Sequence, residues 1–381
     1  MSSEQGINRY RLAERLKVPG RDIIDFSNPV NPLGTSKKIK SELRKHLKYL
    51  LYYPDPQTKR LREQIASYHG IDPEMILCGN GSTEIISLLV RAINPSRGLF
   101  QSPSSPEYEK AFMLNSPYTE NGHQQNTVAG ARIVYATLHE DTGFEINPDE
   151  YIHLMSGKGS PDTLRNMAFL SNPNNLTGRI LSRDSVLRIA EAAIRLGWHL
   201  VVDEAFIDFC AGSDASVLCD VRENPNLIVL RTFSHFHALA GLRLGYGVFS
   251  PELAAKIKKH MNSCNVNSLA QRAAIIALKD SKYREETAKI MKEEKLFLEK
   301  KLKKLEMPFF PSDANYYLLK TPDARAIYRS LQKKGILLCD CSDFAGCGSA
   351  YLRIAVKSHK ENAFLMRELE SMLKPSPTDT P

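Results

Sequence analysis

Short apolar runs alternate with amphipathic segments through the middle of the chain, from about Ile76 to Phe249. Each apolar run is bounded by glycine, proline or polar residues, which is typical of a buried strand. The segments between several of the runs have helical spacing. This alternation predicts a mostly parallel sheet that is covered by helices on both faces. The predicted strands are Met75–Cys78, Gly98–Gln101, Arg132–Ala136, Met167–Ser171, His199–Val202 and Leu227–Thr232, and the predicted helices are Thr83–Ala92, Glu107–Leu114 and Ser185–Leu196.

The last third of the chain has a different pattern, in which strands and helices are mixed. Ser250-Pro251 is typical of a helix start, because serine caps the helix and proline fits its first turn. The predicted elements that follow are a long helix from Ser268 to Leu305, a strand at Tyr316–Leu319, a helix opened by Thr321-Pro322, a strand at Tyr351–Val356, and a last helix from the capping box Ser358–Glu361 to about Leu373.

These two patterns predict a large α/β domain and a small α+β domain. We expect an N-terminal arm that joins the small domain (1–40), the large domain (41–249), the small domain (250–373) and a disordered tail (374–381).

Composition narrows the classes of protein that the chain can represent. Of its 381 residues, 42% are hydrophobic and 25% are charged, which is ordinary for a globular protein. No apolar stretch reaches about 18 residues, so we expect no membrane-spanning helix. The polar N-terminus, Met1 to Tyr10, lacks the apolar core of an export signal. Seven scattered cysteines are an odd number, which indicates reduced thiols and a cytoplasmic protein.

The distribution of charge and of possible metal ligands indicates neither a nucleic-acid-binding site nor a metal site. The net charge of +8 falls largely in helical segments where glutamates are interleaved, so we expect no nucleic-acid partner, while anionic substrates remain compatible. Cys339, Cys341 and Cys347 cluster, but no second ligand group has useful spacing. His235 and His237 also lack a third ligand. We therefore expect no metal site.

Four motifs lie where predicted strands end. Gly79–Glu84 connects a strand to a helix, and its glycines would let an anion approach the free N–H groups of the helix, although such a turn can also be only a tight connection. Asn172–Gly178 is a turn rich in side-chain amides. Val201–Phe206 places Asp203 at a strand end, where it can cap a turn or pair with a protonated ring nitrogen. The fourth motif is Arg231–Tyr246.

In their order and spacing, these four motifs resemble the class I and II aminotransferase family, whose members use pyridoxal phosphate. The resemblance spans the chain from about Asp25 to Leu373. It implies the fold of the type I pyridoxal-phosphate-dependent transferases, with a large, mostly parallel sheet domain and a small α+β domain. It also implies a homodimer that acts on a small phosphorylated amino acid.

Within this family the chain resembles the threonine-phosphate decarboxylases of corrinoid synthesis most, and the histidinol-phosphate aminotransferases next. Asp25-Phe26-Ser27 and Asn31-Pro32-Leu33-Gly34 fit both groups, whereas Asp203–Phe209 and Asp340–Phe344 look more like the decarboxylases. The chain departs from the decarboxylases at Gln5–Asn8, where they have His-Gly-Gly-Asn.

The resemblance also implies roles for single residues. Asp203 would pair with the pyridine nitrogen, and Tyr108 would stack on the ring. Tyr53 would reach the cofactor phosphate of the neighbouring subunit, and Arg353 would bind the substrate carboxylate. Asn175 would bond the ring hydroxyl, and together with Asn31 it would also contact the substrate. The cofactor phosphate would be held by Gly81, Ser82, Thr83, Thr232, Ser234 and Arg243.

One position departs from the family in a way that affects the chemistry. The family has a lysine between Ser234 and Phe236, and this chain has His235. An imidazole cannot form the imine that a primary amine forms with the cofactor, and no lysine lies within 224–252. His235 can be a functional base, it can mark a loss of activity, or it can be a deliberate replacement that traps a complex.

The leading hypothesis is therefore a decarboxylase of an amino-acid O-phosphate, with Asp203, Tyr108 and His235 as its catalytic residues. An aminotransferase of the histidinol-phosphate type is the first alternative. The second is a non-catalytic protein that binds pyridoxal phosphate or another ligand.

Overall fold

The computed structural model describes residues 8–114, 132–157, 165–210, 212 and 214–373 of the chain. The predicted disordered tail (374–381) and the first seven residues of the predicted arm lie outside the described residues. The helices are α1 (Arg9–Leu16), α2 (Lys37–His46), α3 (Lys59–His69), α4 (Ser82–Ile93), α5 (Pro106–Leu114), α6 (Pro148–Met155), α7 (Arg183–Arg195), α8 (Pro251–Lys258), α9 (Ser268–Leu278), α10 (Ser281–Lys304), α11 (Ala324–Lys333) and α12 (His359–Leu373). The strands are β1 (Ile24–Asp25), β2 (Ile76–Gly79), β3 (Arg97–Ser102), β4 (Arg132–Thr137), β5 (Asn166–Ser171), β6 (Trp198–Asp203), β7 (Leu227–Thr232), β8 (Gly245–Val248), β9 (Tyr316–Lys320), β10 (Ile336–Leu337), β11 (Cys339–Asp340) and β12 (Tyr351–Ala355).

A seven-stranded sheet organises the first two thirds of the molecule, in the order β2-β8-β7-β6-β5-β3-β4. The neighbours from β7 through β4 run parallel, whereas β8 is antiparallel to both β2 and β7. The predicted mostly parallel sheet is therefore confirmed. The sequence pattern did not predict β8, because two of its four residues are glycines, which have low strand propensity.

Both faces of this sheet are buried, as continuous apolar strands require. Val201 and Val202 are each fully buried, and they belong to hydrophobic clusters on opposite faces. Successive side chains of a strand point to opposite sides, so β6 contributes to both clusters. Burying each of these valines stabilises the fold by about 1.5–3 kcal/mol. Helices α4, α5 and α8 cover one face, and α3, α7 and α9 contribute to the other.

A third hydrophobic cluster joins α1 to α10, α11 and α12 around the antiparallel sheet β11-β12-β9. The predicted small α+β region is thus present, while the exact domain boundaries stay a prediction. The short parallel pair β1-β10 connects the N-terminal arm to this part of the molecule.

The prediction of one long helix from Ser268 to Leu305 is wrong. Helix α9 ends at Leu278 and α10 begins at Ser281. Leu278 packs in a cluster of the large sheet and Tyr283 in the third cluster, so the chain changes direction between them. The polar join, at Asp280, carries no glycine or proline to mark the break, and its side chain instead accepts a hydrogen bond from Lys38 Nζ at 2.7 Å.

Candidate active site

A cavity of about 520 Å³ lies where the parallel strands end. The ends of β5 and β6 contribute Ser171 and Asp203, and the start of α4 contributes Ser82 and Thr83. Its other lining residues are Asn8, Ser27, Asn28, Pro29, Ile86, Ser105, Pro106, Glu107, Tyr108, Asn175, Ala205, Phe206, His235, Tyr328, Leu338, Cys339, Asp340, Asp343, Phe344 and Arg353. The carboxyl ends of parallel strands are the usual ligand position in open α/β sheets.

One end of the cavity is built for an anion. Gly81 is the N-cap of α4, has φ +84°, and offers no side chain to cap the first amides of the helix. A Cβ atom at Gly81 would lie 2.5 Å from Nη2 of Arg243, so only glycine lets this guanidinium approach the loop. A Cβ atom at Gly245 would lie 2.5 Å from the backbone nitrogen of Ser82. Uncapped amides at a helix N-terminus beside a guanidinium suit a phosphate.

Thr232 and Ser234 lie behind this loop rather than in the cavity wall. Thr232 pairs with Gly245 across β7 and β8, and Gly245 packs against Ser82. The hydroxyl of Thr232 donates to the Ser234 hydroxyl at 3.0 Å and accepts from the Ser234 backbone at 3.1 Å. Both side chains are buried. They therefore lie beside the predicted phosphate site and support the loop in the described structure.

Asp203 is a buried carboxylate at the end of β6. It accepts a hydrogen bond from the Tyr108 hydroxyl at 2.7 Å and another from the Ala205 backbone at 3.0 Å. Burial raises the pKa of Asp203, and the two hydrogen bonds oppose that effect. The Tyr108 ring stacks on Phe169, with centroids 5.0 Å apart. An exposed edge of this carboxylate in the cavity would gain a partner from a cationic ring nitrogen.

His235 is a neutral imidazole in the cavity wall. Its ring stacks on Phe206 with centroids 4.3 Å apart, and it is hydrogen-bonded to the Pro29 backbone. Burial, followed by the charge of Arg353, lowers the pKa of His235 to about 3. Its Nδ1 atom is buried and has no hydrogen-bond partner among the described residues. At neutral pH this side chain is therefore uncharged, and its Nδ1 atom can accept a hydrogen bond.

Arg353 enters the cavity from β12. Its guanidinium donates to the Asn175 backbone carbonyl at 2.5 Å and to the Ser27 carbonyl at 2.8 Å, and it lies over the Tyr316 ring at 5.1 Å. Within the described part of the chain, Nε of Arg353 and Oδ1 of Asn175 are buried without hydrogen-bond partners. A buried polar atom without a partner is costly, so both positions favour a polar ligand.

Two predicted site residues lie away from the others. Asn31 is buried, and its amide donates to the Phe236 carbonyl at 2.9 Å and to the Thr287 hydroxyl at 2.8 Å, so it joins the arm to the interior. Tyr53 is 93% exposed and lies at a separate surface cavity beside Asn80. Their predicted roles stay predictions.

Sequence reasoning missed several polar residues of the cavity wall. Ser171 is the register partner of Asp203 on the next strand, so the rule that singled out Asp203 could have found it as well. Glu107, Tyr328, Cys339 and Asp343 come from other elements, and no local pattern placed them here.

Metal ligands and membrane-spanning helices would indicate other kinds of function. No three histidine, cysteine, aspartate or glutamate side chains within them are grouped so that they could hold a metal ion. No helix among them is long and apolar enough to cross a membrane.

Comparisons with known proteins agree on one family. The family model described as "Aminotransferase class I and II" matches residues 21–369. The threonine-phosphate decarboxylase of Salmonella typhimurium is 30% identical over 375 residues, covering 98% of this chain and 97% of the relative. The histidinol-phosphate aminotransferase of Thermoanaerobacter pseudethanolicus is 33% identical over 321 residues, covering 84% of each chain. The crystal structure of the histidinol-phosphate aminotransferase from Clostridium acetobutylicum superposes with a TM-score of 0.81 at 28% identity, covering 92% of this chain and 99% of that one.

Proposed function

Because the chain belongs to the aminotransferase class I and II family, we propose that it is a pyridoxal-phosphate-dependent decarboxylase of an amino-acid O-phosphate. The predicted family and fold are confirmed by the match over residues 21–369 and by the superposed structure. The observation that carries the proposal is the arrangement of one cavity, which combines the anion site at Ser82 and Thr83 with the buried Asp203 and with Arg353. The 30% identity to a threonine-phosphate decarboxylase over nearly the whole chain favours this reaction.

The cavity residues fit the cofactor group by group. Its phosphate suits the uncapped amides of Ser82 and Thr83 beside Arg243, where the missing Cβ of Gly81 leaves room. Its ring nitrogen suits Asp203, and its ring hydroxyl suits the amide of Asn175, whose Oδ1 is buried without a partner among the described residues. Bound in this way, pyridoxal phosphate supplies an electron-withdrawing aromatic ring.

Arg353 would orient the substrate. Its Nη1 and Nη2 atoms are held by the carbonyls of Asn175 and Ser27, so the guanidinium plane is fixed before substrate binds. A substrate carboxylate would complete the remaining donor sites, and a fixed carboxylate directs the bond that breaks. A cationic ring nitrogen beside Asp203 would favour its ionised form, because an opposite charge lowers the carboxyl pKa that burial raises.

His235 would stand at the position of the family's lysine. Its neutral imidazole can accept a hydrogen bond at Nδ1, the buried atom without a partner among the described residues. It provides no amine for a covalent link to the cofactor. We therefore expect the protein to bind the cofactor and substrate well but to exchange the bound amine slowly. Turnover should consequently be poor.

The test is release of CO₂ from threonine phosphate under single-turnover conditions, with the protein and its His235→Lys variant each loaded with pyridoxal phosphate. We expect release from both, faster and repeated in the lysine variant. Asp203→Ala serves as the inactive control. The absence of CO₂ from both proteins would contradict the decarboxylase proposal.

The second candidate is an aminotransferase, and the 33% identity to a histidinol-phosphate aminotransferase favours it. Conversion of pyridoxal phosphate to pyridoxamine phosphate, reversed by a keto acid, identifies this activity. A non-catalytic binding protein would instead show no change of the cofactor spectrum when amino acids are added.

We also propose a homodimer. The segment 47–53 exposes an apolar surface, with Leu51 73%, Tyr52 63% and Tyr53 93% exposed. An exposed cluster of this size is typical of an interaction surface, and a second copy would bring Tyr53 to its predicted place at the neighbouring cofactor phosphate. Sedimentation analysis should give a dimer for the protein and a monomer for Leu51→Glu, and a native-size dimer in the variant would contradict this assignment.

A further inference from the structure

The aromatic ring of Tyr316 lies against the guanidinium of Arg353. Tyr316 opens β9, and its register partner on β12 is Ala355, two residues beyond Arg353. Residues two apart on a strand share a face, so Tyr316 and Arg353 are diagonal neighbours on one face of the antiparallel sheet. The Cζ atom of Arg353 lies 5.1 Å from the centroid of the Tyr316 ring. The proposed function assigns a task to Arg353 and none to Tyr316.

The Tyr316 ring is itself held in place by two further contacts. Its hydroxyl donates to the Asn174 carbonyl at 2.7 Å. Its ring makes a T-shaped contact with the ring of Phe206, with centroids 5.1 Å apart and planes at 78°. The side chain is completely buried, and burial raises the pKa of the hydroxyl, which therefore keeps its proton and donates. A close-packed side chain that is anchored at its ring and at its hydroxyl has little freedom to rotate.

Arg353 needs a support of this kind because its own hydrogen bonds do not balance its charge. They go to the backbone carbonyls of Asn175 and Ser27, which are neutral. Its Nε atom is buried without a hydrogen-bond partner among the described residues, and the whole residue is only 8% exposed. A flat aromatic face matches the planar guanidinium and attracts its charge. The ring therefore keeps the guanidinium in the plane in which a carboxylate can meet it.

We infer that Tyr316 is a positioning residue, whose ring holds the guanidinium of Arg353 ready for the α-carboxylate of the substrate. The inference rests on the proposed function, because it assumes that Arg353 binds this carboxylate. Tyr316 lies behind the cavity wall, so it acts through Arg353. Ordering a long side chain during binding costs free energy, and a guanidinium that is already ordered avoids this cost. The carboxylate should therefore bind about fivefold more tightly than it would without the ring.

The test compares two stable conjugates of the reduced cofactor, phosphopyridoxyl-L-alanine and phosphopyridoxyl-ethylamine, which differ only in the carboxylate. Equilibrium dialysis at pH 7 gives the Kd of each for the full-length protein, and the ratio of the two values is the carboxylate preference. We expect a preference of about tenfold or more in the native protein. Tyr316→Leu should lower this preference about fivefold, whereas Tyr316→Phe, which keeps the flat ring, should retain it within about twofold.

Tyr317→Leu is the matched control. Tyr317 is the next residue of β9 and is equally buried, but its side chain points to the opposite face, where its hydroxyl donates to Glu299. Both leucine variants should lower the free energy of unfolding in urea, while only Tyr316→Leu should lower the carboxylate preference. An equal loss of preference in both, or no loss in Tyr316→Leu, would overturn the inference. Tyr316→Met, whose flexible side chain is not planar, gives the same comparison if Tyr316→Leu does not fold.

A double-mutant cycle tests whether Tyr316 acts through Arg353. In the Arg353→Gln background, Tyr316→Leu should change the carboxylate preference by less than about twofold, because the group that Tyr316 positions is gone. A loss as large as that in the native background would contradict the inference. If the native protein shows the preference but releases no CO₂ from threonine phosphate, the proposed reaction fails while the inference stands. If neither conjugate binds to the native protein, the cofactor site and the inference are both wrong.

Discussion

Replacing Asp203 by asparagine should have opposite effects on the protein with and without its cofactor. The side chain keeps its shape, and the amide oxygen can still accept from Tyr108, whose hydroxyl now lies 2.7 Å from the carboxylate. What the variant loses is a charge that is only 8% exposed. We expect the cofactor-free protein to become more stable and cofactor binding to become weaker.

The stability effect follows from the pKa of Asp203. Burial raises this pKa above its value in the unfolded chain, so the folded state binds more protons in the interval between the two values. The stability of the cofactor-free protein should therefore fall as pH rises through this interval. Asparagine cannot ionise, and the variant should lose that part of the pH dependence and unfold at a higher denaturant concentration at neutral pH.

The binding effect has the opposite sign. A hydrogen bond between a buried carboxylate and a cationic ring nitrogen contributes about 1.5–3 kcal/mol, which corresponds to about 10- to 150-fold in Kd. Because His235 offers no primary amine, the equilibrium reports non-covalent contacts directly. Equilibrium dialysis of pyridoxal phosphate at pH 7 measures it, with urea unfolding in parallel.

Tyr108→Phe is the matched control for this experiment. It removes one hydrogen bond to Asp203 but leaves the charge and the ring that stacks on Phe169. We expect it to change the Kd by much less than Asp203→Asn. An Asp203→Asn protein that binds the cofactor as tightly as the native one, or that loses stability without it, would contradict the role assigned to this carboxylate.

Three further predictions concern the site for the substrate carboxylate, a buried ion pair and the loss of stability at acidic pH. Arg353→Gln should weaken threonine-phosphate binding about tenfold or more while changing the cofactor Kd little, because a charged hydrogen bond is lost only from the substrate; equal losses for both ligands would contradict this. Arg231 forms an ion pair with the fully buried Glu204 at 2.8 Å, so Arg231→Met should lower the free energy of unfolding in urea by about 3–5 kcal/mol. The control Arg188→Met, which removes an exposed ion pair, should lower it by about 0–1 kcal/mol. Similar losses in the two variants would contradict the importance of the buried pair. Burial lowers the pKa of His237 to about 4, so the unfolded state binds a proton at this residue before the folded state does as pH falls. His237→Gln should therefore reduce the slope of the unfolding free energy against pH between pH 4.5 and 6 by about 1.4 kcal/mol per pH unit. An unchanged slope would contradict this prediction.

The large sheet was predictable because its information is local. Strands such as β6 are uniformly apolar and buried on both faces, so the pattern alone identifies them. β8 escaped because Gly245 and Gly247 have no side chain to pack, and its place in the sheet comes from its neighbours β2 and β7. The break between α9 and α10 escaped because the apolar spacing continues through a polar join at Asp280 that lacks a helix breaker.

The candidate site likewise contains residues that local sequence predicts and residues that only long-range packing places. Ser82 and Asp203 stand at the ends of strand–loop units, where sequence order predicts them. Glu107 and Cys339 reach the cavity only through packing between distant segments, which no local spacing encodes. The contacts of Asn31 with Phe236 and Thr287 likewise depend on how the arm crosses the molecule. The sequence therefore predicted the strand ends that line the cavity. The residues contributed by distant segments could be identified only from the structure.

The cavity is proposed to bind pyridoxal phosphate with His235 where the family has its lysine. An absorption spectrum of the purified protein with one equivalent of the cofactor, taken beside that of His235→Lys, tests it most directly. We predict the spectrum of a non-covalently bound aldehyde for the native protein and an imine band, removed by borohydride reduction, for the lysine variant. An imine band in the native protein, or none in His235→Lys despite cofactor binding, would contradict the claim.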